Sequence, residues 1–319
     1  MAERSATIRK DLTNYALGIS QELQKAQILA KVLAPVVPVG ASSGLFNKFD
    51  LTNDFQSLAN EARRPVGGQA TVLGFLGSTA NFNCAPHGLR INIDSHEAFQ
   101  VANNPEALNA LELAKTRSLT INSFNAHLLR AITVIKANVT AQAGVGLWAD
   151  PAVDPIQELD DQILGGFEQT GIVFNNCVVD FGAWLLLKNH PKVRARFPGA
   201  DIVSVTPEKV QAFIGAGTTK ITVAETAVLT NGGLGNTAAK RQSVLKTSVL
   251  LFYNSDMPTQ YDASFCKSFA PTAEIFTGIK TYEEQPNITW FENDWTADIQ
   301  IVSSLLCRRI DVSNVYKQS

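Results

Sequence analysis

Gly233-Leu-Gly-Asn-Thr-Ala238 has the most definite chemical precedent of any pattern in this sequence. It fits Gly-x-Gly-x-x-Ala, a turn whose bare backbone can approach the pyrophosphate of a dinucleotide, and Asp256 lies near the spacing of a ribose-binding carboxylate. That fingerprint must open a strand–turn–helix unit. Here it falls late in the chain between two strand-like runs, with no amphipathic helix after it, so a hairpin turn accounts for it better. No P-loop pattern occurs anywhere. The carboxylate pairs Asp160-Asp161 and Glu283-Glu284 are neighbours in sequence only. Adjacent residues face apart on a helix or strand, so neither pair makes an acid/base dyad unaided.

Metal and thiol chemistry find no better footing. His87, His96, His127 and His190 show no i, i+4 pairing and no His-Glu-x-x-His. His127 is expected on a helix surface or at an interface, and His190, just before Pro191, at a turn. Cys84, Cys177, Cys266 and Cys307 are too scattered for a zinc ribbon or a Cys-x-x-Cys redox motif. A chain of 319 residues needs no disulfide framework, so four free, mostly buried thiols in a reducing cytoplasm are expected. Asn-x-Thr sites at Asn138 and Asn287 matter only after secretion, and the opening Met-Ala-Glu-Arg-Ser lacks the apolar stretch of a secretory signal. No uncharged apolar run reaches the roughly 18–20 residues of a membrane helix. The residues thus point to no catalytic group, no cofactor and no metal.

Composition points to surfaces instead. Apolar residues make up 45% of the chain and charged residues 18%. That charged share is low for a soluble domain and suits a subunit whose exterior is largely hidden by neighbours. Twenty-seven lysines and arginines stand against 29 carboxylates, with no basic block, which excludes an electrostatic grip on DNA.

The elements follow from pattern. Residues 12–34 carry apolar side chains at helical spacing, and Pro35 and Pro38 turn 32–39 extended. This amphipathic arm must find another body for its apolar face, in the same subunit or in a neighbour. Residues 40–94 are rich in Gly, Ser, Asn and Ala and read as a long β-ribbon with a turn at 61–68, too thin to be stable alone. Pro105, capped by Asn103 or Asn104, opens a helix to about 137 with apolar residues at Leu108, Leu111, Ala114, Ile121, Phe124, Leu128, Ile132 and Ile135. At 1.5 Å per residue it spans roughly 50 Å, a spine for sheets to lie against. Asp154-Pro155 starts a helix to about 167. Strands are expected at 172–179, 221–229 and 244–253, helices at 181–188 and from Thr206-Pro207, and closing strands at 288–291 and 297–305. The order is mixed α+β, without regular βαβ alternation or internal repeat.

Taken together, these segments resemble the major capsid proteins of tailed bacteriophages. Leu33-Ala-Pro-Val-Val-Pro-Val39 is similar to the family's element that joins a helical arm to an extended run. Trp148 to Pro198 is similar to the start of its axial domain, with Asp154-Pro155, Thr170-Gly171 before Asn175-Asn176, and Trp184 before His190-Pro191. The resemblance implies an HK97-like coat fold of α+β class. Its parts would be an N-terminal arm (1–40), an E-loop β-ribbon (41–94), a P-domain with the spine helix (95–145), an A-domain (146–275) and return strands of the P-domain (276–319). It further implies a non-enzymatic subunit that forms hexamers and pentamers around A-domain tips and closes an icosahedral shell. The shell would enclose double-stranded DNA without sequence-specific binding, in the virion and, during assembly, in the host cytoplasm, with no membrane contact. Partners are further copies of the chain, a separate scaffolding protein, a portal and decoration proteins. Pentamers and hexamers differ in curvature, which makes Gly40, Gly44, Gly67, Gly68 and Gly88 candidate hinges. Lys48 in the ribbon is expected to be solvated or ion-paired, not a cross-linking residue. An encapsulin-type compartment shares the fold and is the alternative, with a soluble α+β enzyme behind it.

Overall fold

The structure is a computed structural model and describes residues 7–22, 24–55, 66–69, 77–101, 104–197, 205–230, 240–272, 279–285 and 288–313. In chain order, β1 (Thr7–Ile8), α1 (Lys10–Glu22), α2 (Gln24–Leu33) and β2 (Val36–Pro38) form the opening segment. Strands β3 (Ser43–Lys48), β4 (Ser78–Asn83) and β5 (Ala85–Asp94) precede helices α3 (Ser95–Val101), α4 (Pro105–Asn138) and α5 (Pro155–Thr170). Then come β6 (Asn176–Asp180), α6 (Phe181–Asn189), α7 (Pro191–Ala195), α8 (Pro207–Gln211), β7 (Lys220–Ala224), β8 (Ala227–Thr230) and β9 (Lys240–Ser243). The chain closes with β10 (Ser248–Phe252), β11 (Cys266–Ala270), β12 (Ile279–Gln285), β13 (Ile288–Ile301) and β14 (Cys307–Asp311). These fall into two compact units, one drawn from Met1–Gly44, Phe82–Thr133 and Ser268–Gln300, the other from Leu45–Asn81, Val134–Lys267 and Ile301–Ser319.

In the first unit the described strands form one sheet in the order β1-β12-β13-β11-β2, with β5 on the other flank of β13. β13 is the hub. It pairs antiparallel with β12 (Lys280 opposite Glu292) and with β5 from Ile288–Asp94 to Ala297–Ala85. Phe291, Asn293, Trp295 and Ala297 are buried at every second position, as one covered face requires. Leu12 of α1, Leu119 of α4, Ile93, Ile279 and Phe291 make a common core, so Leu12 of the arm is covered within its own chain. β2 pairs in parallel with β11, Val37 opposite Phe269, where a proline-stiffened edge strand is tolerated. Helix continues through Val32 and Leu33, two residues further than expected. β5, expected as the ribbon's return, belongs to this sheet, and among the described residues β3 pairs with β4 alone.

α4 starts where expected: the Asn104 side chain accepts from the backbone N–H of Glu106 and Ala107, at 3.1 and 3.3 Å. Its buried line departs from the apolar pattern. Ala114 is exposed, whereas Thr116, Thr120, Ser123 and His127 are buried beside Leu119, Leu128 and Ile132. Thr120 Oγ1 donates to the Thr116 carbonyl and Ser123 Oγ to that of Leu119, each at 2.9 Å. Hydroxyls that fold back on the preceding turn carry their own partner, so hydropathy alone misplaces the face.

In the second unit the sheet order is β14-β10-β6-β7. β10 lies antiparallel to both β14 and β6, while β6 and β7 run parallel, joined by a crossover containing α6 to α8. One βαβ step therefore does occur. Cys177, Val179, Val249, Leu251 and Ile310 turn the same sheet face to α5 and α6, whose Ile156, Leu159, Ile163, Ala183, Trp184 and Leu187 close the core with Trp148. α5 begins on Asp154, which accepts from Ile156 N at 3.1 Å with Pro155 in the first turn, and ends at Gly171 with φ +73. Several strand expectations shift. The strand expected at 172–179 begins only at Asn176, and those expected at 288–291 and 297–305 are the single strand β13, which ends at Ile301. Residues 221–229 divide into β7 and β8, and 244–247 form a turn in which Lys246 and Thr247 have φ of 49 and 67.

Two neighbouring glycines of α5 make a paired prediction. A Cβ on Gly165 meets nothing within 4 Å, while one on Gly166 would lie 2.3 Å from Cζ of the buried Phe174 ring. Gly165→Ala is expected to stabilise by up to about 1 kcal/mol. Gly166→Ala should instead destabilise by about 1–3 kcal/mol through overpacking. Urea denaturation midpoints check both signs.

Candidate functional site

The densest buried ionisable group in the first unit sits between α4, β5 and β13. Arg130 Nη1 donates to His87 Nε2 and, at 3.3 Å, to the Ala297 carbonyl, and its Nη2 lies 3.8 Å from Asp298 Oδ1. Asp298 Oδ2 also accepts from Asn83 N and Gln300 Nε2, both at 2.8 Å. The His87 ring tilts against Trp295 at 5.8 Å. His127, one turn before Arg130, is only 3% exposed, which corrects the expectation of a surface or interface side chain. Its phase on α4 is that of Thr116, Thr120 and Ser123, the line that apolar counting missed. Burial, reinforced by Arg130 and His87, holds His127 down to about 4, and burial followed by Arg130 also lowers His87. His87 Nε2 accepts a hydrogen bond from Arg130 Nη1, so its lone pair there is engaged. The cluster ties a helix to a sheet.

A shallow cleft of about 600 Å³ in this unit is lined by Pro86 to Arg90 of β5, Lys280 of β12, and Glu292 with Asp294 to Thr296 of β13. Lys280 Nζ meets Asp294 Oδ2 at 2.8 Å, Glu292 lies opposite both Arg90 and Lys280, and the Arg90 guanidinium sits 4.3 Å over the Trp290 ring. Each charge is answered across the strands, so the cleft offers no unbalanced charge to a substrate.

The sequence candidates are not brought together. The Gly233–Ala238 pattern lies outside the described residues, and the strands flanking it, β8 and β9, pair antiparallel with Thr230 opposite Lys240, as a hairpin requires. Asp256 is exposed in the loop after β10. Asp160 Oδ1 accepts from Gly215 N at 2.7 Å while Asp161 Oδ1 accepts from Gln157 Nε2 at 2.9 Å, so this pair faces apart. The side chains of Glu283 and Glu284 lie outside the described set. His190 caps α7: Nδ1 accepts from Lys192 N at 3.3 Å, and Nε2 faces the Asp150 carbonyl at 3.1 Å. Lys48 pairs with Asp50 at 3.1 Å, and all four cysteines are free and buried. Among the described residues no three His, Cys, Asp or Glu side chains are grouped to hold a metal, and no helix is long and apolar enough to cross a membrane. The expectation that no serine lies in a Gly-x-Ser-x-Gly spacing is corrected by Gly40-Ala-Ser42-Ser-Gly44, which has the spacing of a nucleophile elbow. It leads from β2 into β3, whereas an elbow leads from strand to helix, and its serine is exposed.

The five glycines sit in different settings. A Cβ at Gly40 meets nothing within 4 Å, and Gly67 has φ +81 in an open turn beside Gly68. At Gly44 a Cβ would lie 2.8 Å from the Phe82 ring, and at Gly88 2.3 Å from Asp294 Oδ1. The last two are explained by close approach within the first unit.

No family model and no curated protein sequence matches the chain. Solved structures do. A phage-related protein from Bordetella bronchiseptica RB50 superposes with a TM-score of 0.70 at 18% identity, over 97% of this chain and 98% of that one. The putative capsid protein of a prophage of Escherichia coli CFT073 matches with a TM-score of 0.51 at 13% identity, over 97% and 99%. This is the fold of phage capsid proteins. The encapsulin of Synechococcus elongatus PCC 7942 shares it, with a TM-score of 0.51 at 11% identity over 92% and 90%. The capsid fold therefore extends over nearly the whole chain, and the α+β, HK97-like architecture expected from the sequence is the one observed.

The two depressed histidines set a pH dependence. Both are held below the ordinary histidine value in the fold, so below about pH 6.5 the unfolded chain binds more protons than the folded one. Stability present above pH 6.5 should fall as pH drops towards 4, and for His127 the loss is of order 3 kcal/mol. In His127→Gln the slope of unfolding free energy between pH 4 and 6.5 should shrink by about 1.4 kcal/mol per unit, one proton's worth. An unchanged slope in denaturant titrations of the subunit would contradict this assignment.

Proposed function

We propose that this chain is the structural subunit of an icosahedral phage capsid, acting by assembly and not by catalysis. The observation that carries the reading is the end-to-end match to phage proteins, 97% of this chain against 98% of the Bordetella protein at a TM-score of 0.70. The physical setting agrees. The ionisable groups around Arg130 and in the cleft of the first unit face one another, and large apolar side chains such as Leu45, Leu51, Val66, Leu147, Met257 and Tyr261 stand exposed in the second.

In this reading the chain divides into arm (1–40), E-loop (41–94), P-domain (95–145 and 276–319) and A-domain (146–275). Copies join as hexamers and pentamers around A-domain tips, with a separate scaffolding protein, a portal and decoration proteins completing the particle in the host cytoplasm. The balanced charge of 27 cations and 29 carboxylates encloses DNA without gripping it. An encapsulin-type compartment is the second reading, favoured by the encapsulin match, whose TM-score of 0.51 equals that of the prophage capsid protein.

The chain expressed alone should give closed shells or hexameric capsomers by negative-stain microscopy and light scattering. A stable monomer or dimer under all assembly conditions would overturn the proposal, and double-stranded DNA or a packaged enzyme inside native particles separates its two forms. Of the candidate hinges, Gly67 and Gly68 are the informative pair, because φ +81 at Gly67 costs a Cβ-bearing residue about 1 kcal/mol or more. Alanine at both should lower shell yield or change shell size. Unaltered yield and size would remove them from the list of hinges.

A further inference from the structure

Charge is segregated between two helical segments of the second unit. α5 carries Glu158, Asp160, Asp161 and Glu168 and no cation, whereas 181–197 carries Lys188, Lys192, Arg194 and Arg196 and no carboxylate. Part of each set is used internally. Glu158 accepts from Trp148 Nε1 at 2.7 Å, Asp160 from Gly215 N, and Arg196 pairs with Asp154 at 2.8 Å. What remains points outward. Asp161 and Glu168 are exposed on α5, Asp161 accepting from Gln157 of its own helix, and Lys192 and Arg194 on α7, Lys192 donating to the Ala152 carbonyl, with Lys188 half-buried just before it. Among the described residues Asp161, Glu168, Lys188 and Arg194 form no ion pair.

The acidic face is also apolar. Leu164 and Phe167, 53% and 44% exposed, stand between Asp161 and Glu168 at helical spacing, one to two turns apart. α7 offers a small, low surface of exposed Pro191 and Ala195 among its cations. Lysine and arginine stems cover apolar surface well, and an arginine can lie on an aromatic ring.

Resting on the shell reading above, we propose that the α5 face of one copy docks on the α7 face of the next copy of this chain. The apolar centre would be Leu164 and Phe167 against Pro191 and Ala195. Asp161 and Glu168 would pair with Arg194 and Lys188 around it. Charge decides the occupant. A two-fold contact of α5 on α5 sets like charges together, whereas α5 on α7 sets opposites together. The contact is head-to-tail, and head-to-tail contacts generate rings when the rotation closes. Both faces sit on one core, because Ile156, Leu159 and Ile163 of α5 and Val193 of α7 belong to the same buried cluster. Each copy thus presents donor and acceptor faces at a fixed angle, while long exposed side chains accommodate rings of two sizes.

The test is a charge swap on the full chain, read by capsomer yield in light scattering and negative stain, with thermal melts as the folding control. Asp161→Lys with Glu168→Lys should cut assembly on the order of tenfold or more, and adding Lys188→Glu and Arg194→Glu should restore it. Wild-type assembly should also weaken with added salt. If the acidic-face variant assembles like wild type, or the four-fold variant melts normally without recovering, the docking assignment fails and the shell reading stands. If wild type itself never assembles, the shell reading fails and takes this contact with it.

Discussion

The fold of the first unit depends on matching one long strand to one long helix. β13 has 14 residues and reaches roughly 46 Å, and α4 has 34 residues and reaches roughly 51 Å. A strand of that length buried on one face needs a cover of similar length, or its apolar alternation is left in water. The contacts advance in step along both elements. Leu119 shares a core with Phe291, Ala126 packs on Trp295 and Ala297, and Arg130 reaches the Ala297 carbonyl and Asp298. β12 and β5 then pair on the flanks of β13, and β1 joins through β12. β1 of the arm, through β12, and β5 thus both join the sheet at β13.

That dependence explains which parts were legible in the sequence. Long helices announce themselves by caps and uninterrupted pattern, so α4 from Pro105 and α5 from Asp154-Pro155 start where the residues say. What failed was local geometry set by distant partners. Lys246 and Thr247 hold left-handed backbone, uncommon for a lysine and rare for a β-branched residue. The turn is held from several sides: Lys136 Nζ donates to the Leu245 carbonyl, Ser248 N to the same oxygen at 3.2 Å, and Val312 N to that of Thr247 at 3.1 Å. None of those partners is near in sequence except Ser248. β5 reads as ribbon because its composition is polar on one face, and only its pairing with β13 makes it part of the sheet.

The candidate site was legible in a weaker sense. The residues that looked chemical, such as Asp160 and His190, serve caps and loop anchors, and sequence types alone cannot separate a capping carboxylate from a catalytic one. The buried His127 escaped because its neighbours on the helix face are hydroxyl residues, and Thr120 and Ser123 are buried with back-bonds that hydropathy does not register. The resemblance in order and spacing reached further than any single motif, and the fold it implied is shared with the Bordetella protein at 18% identity.

The second unit shows how a surface can be set before any partner arrives. Lys267 has no exposed side-chain surface, yet its ammonium bonds Asp262 Oδ1 at 3.1 Å and the Asp262 carbonyl at 2.6 Å. Burial lowers its pKa while Asp262 opposes that shift, so the charge is retained only as long as the loop keeps this shape. Asn254 closes the same loop by accepting from Phe265 N at 3.1 Å and Cys266 N at 3.4 Å, leaving Met257 and Tyr261 outside. On α5, the Asp154–Arg196 pair and the Glu158–Trp148 bond do the equivalent for Leu164 and Phe167. Association loses translational freedom and orders loose side chains, and a contact made between surfaces already ordered keeps more of its gross energy. In a particle built from many copies of one chain, that saving recurs at every contact. Modest individual contacts then suffice for a closed shell, and each remains weak enough to be corrected during assembly.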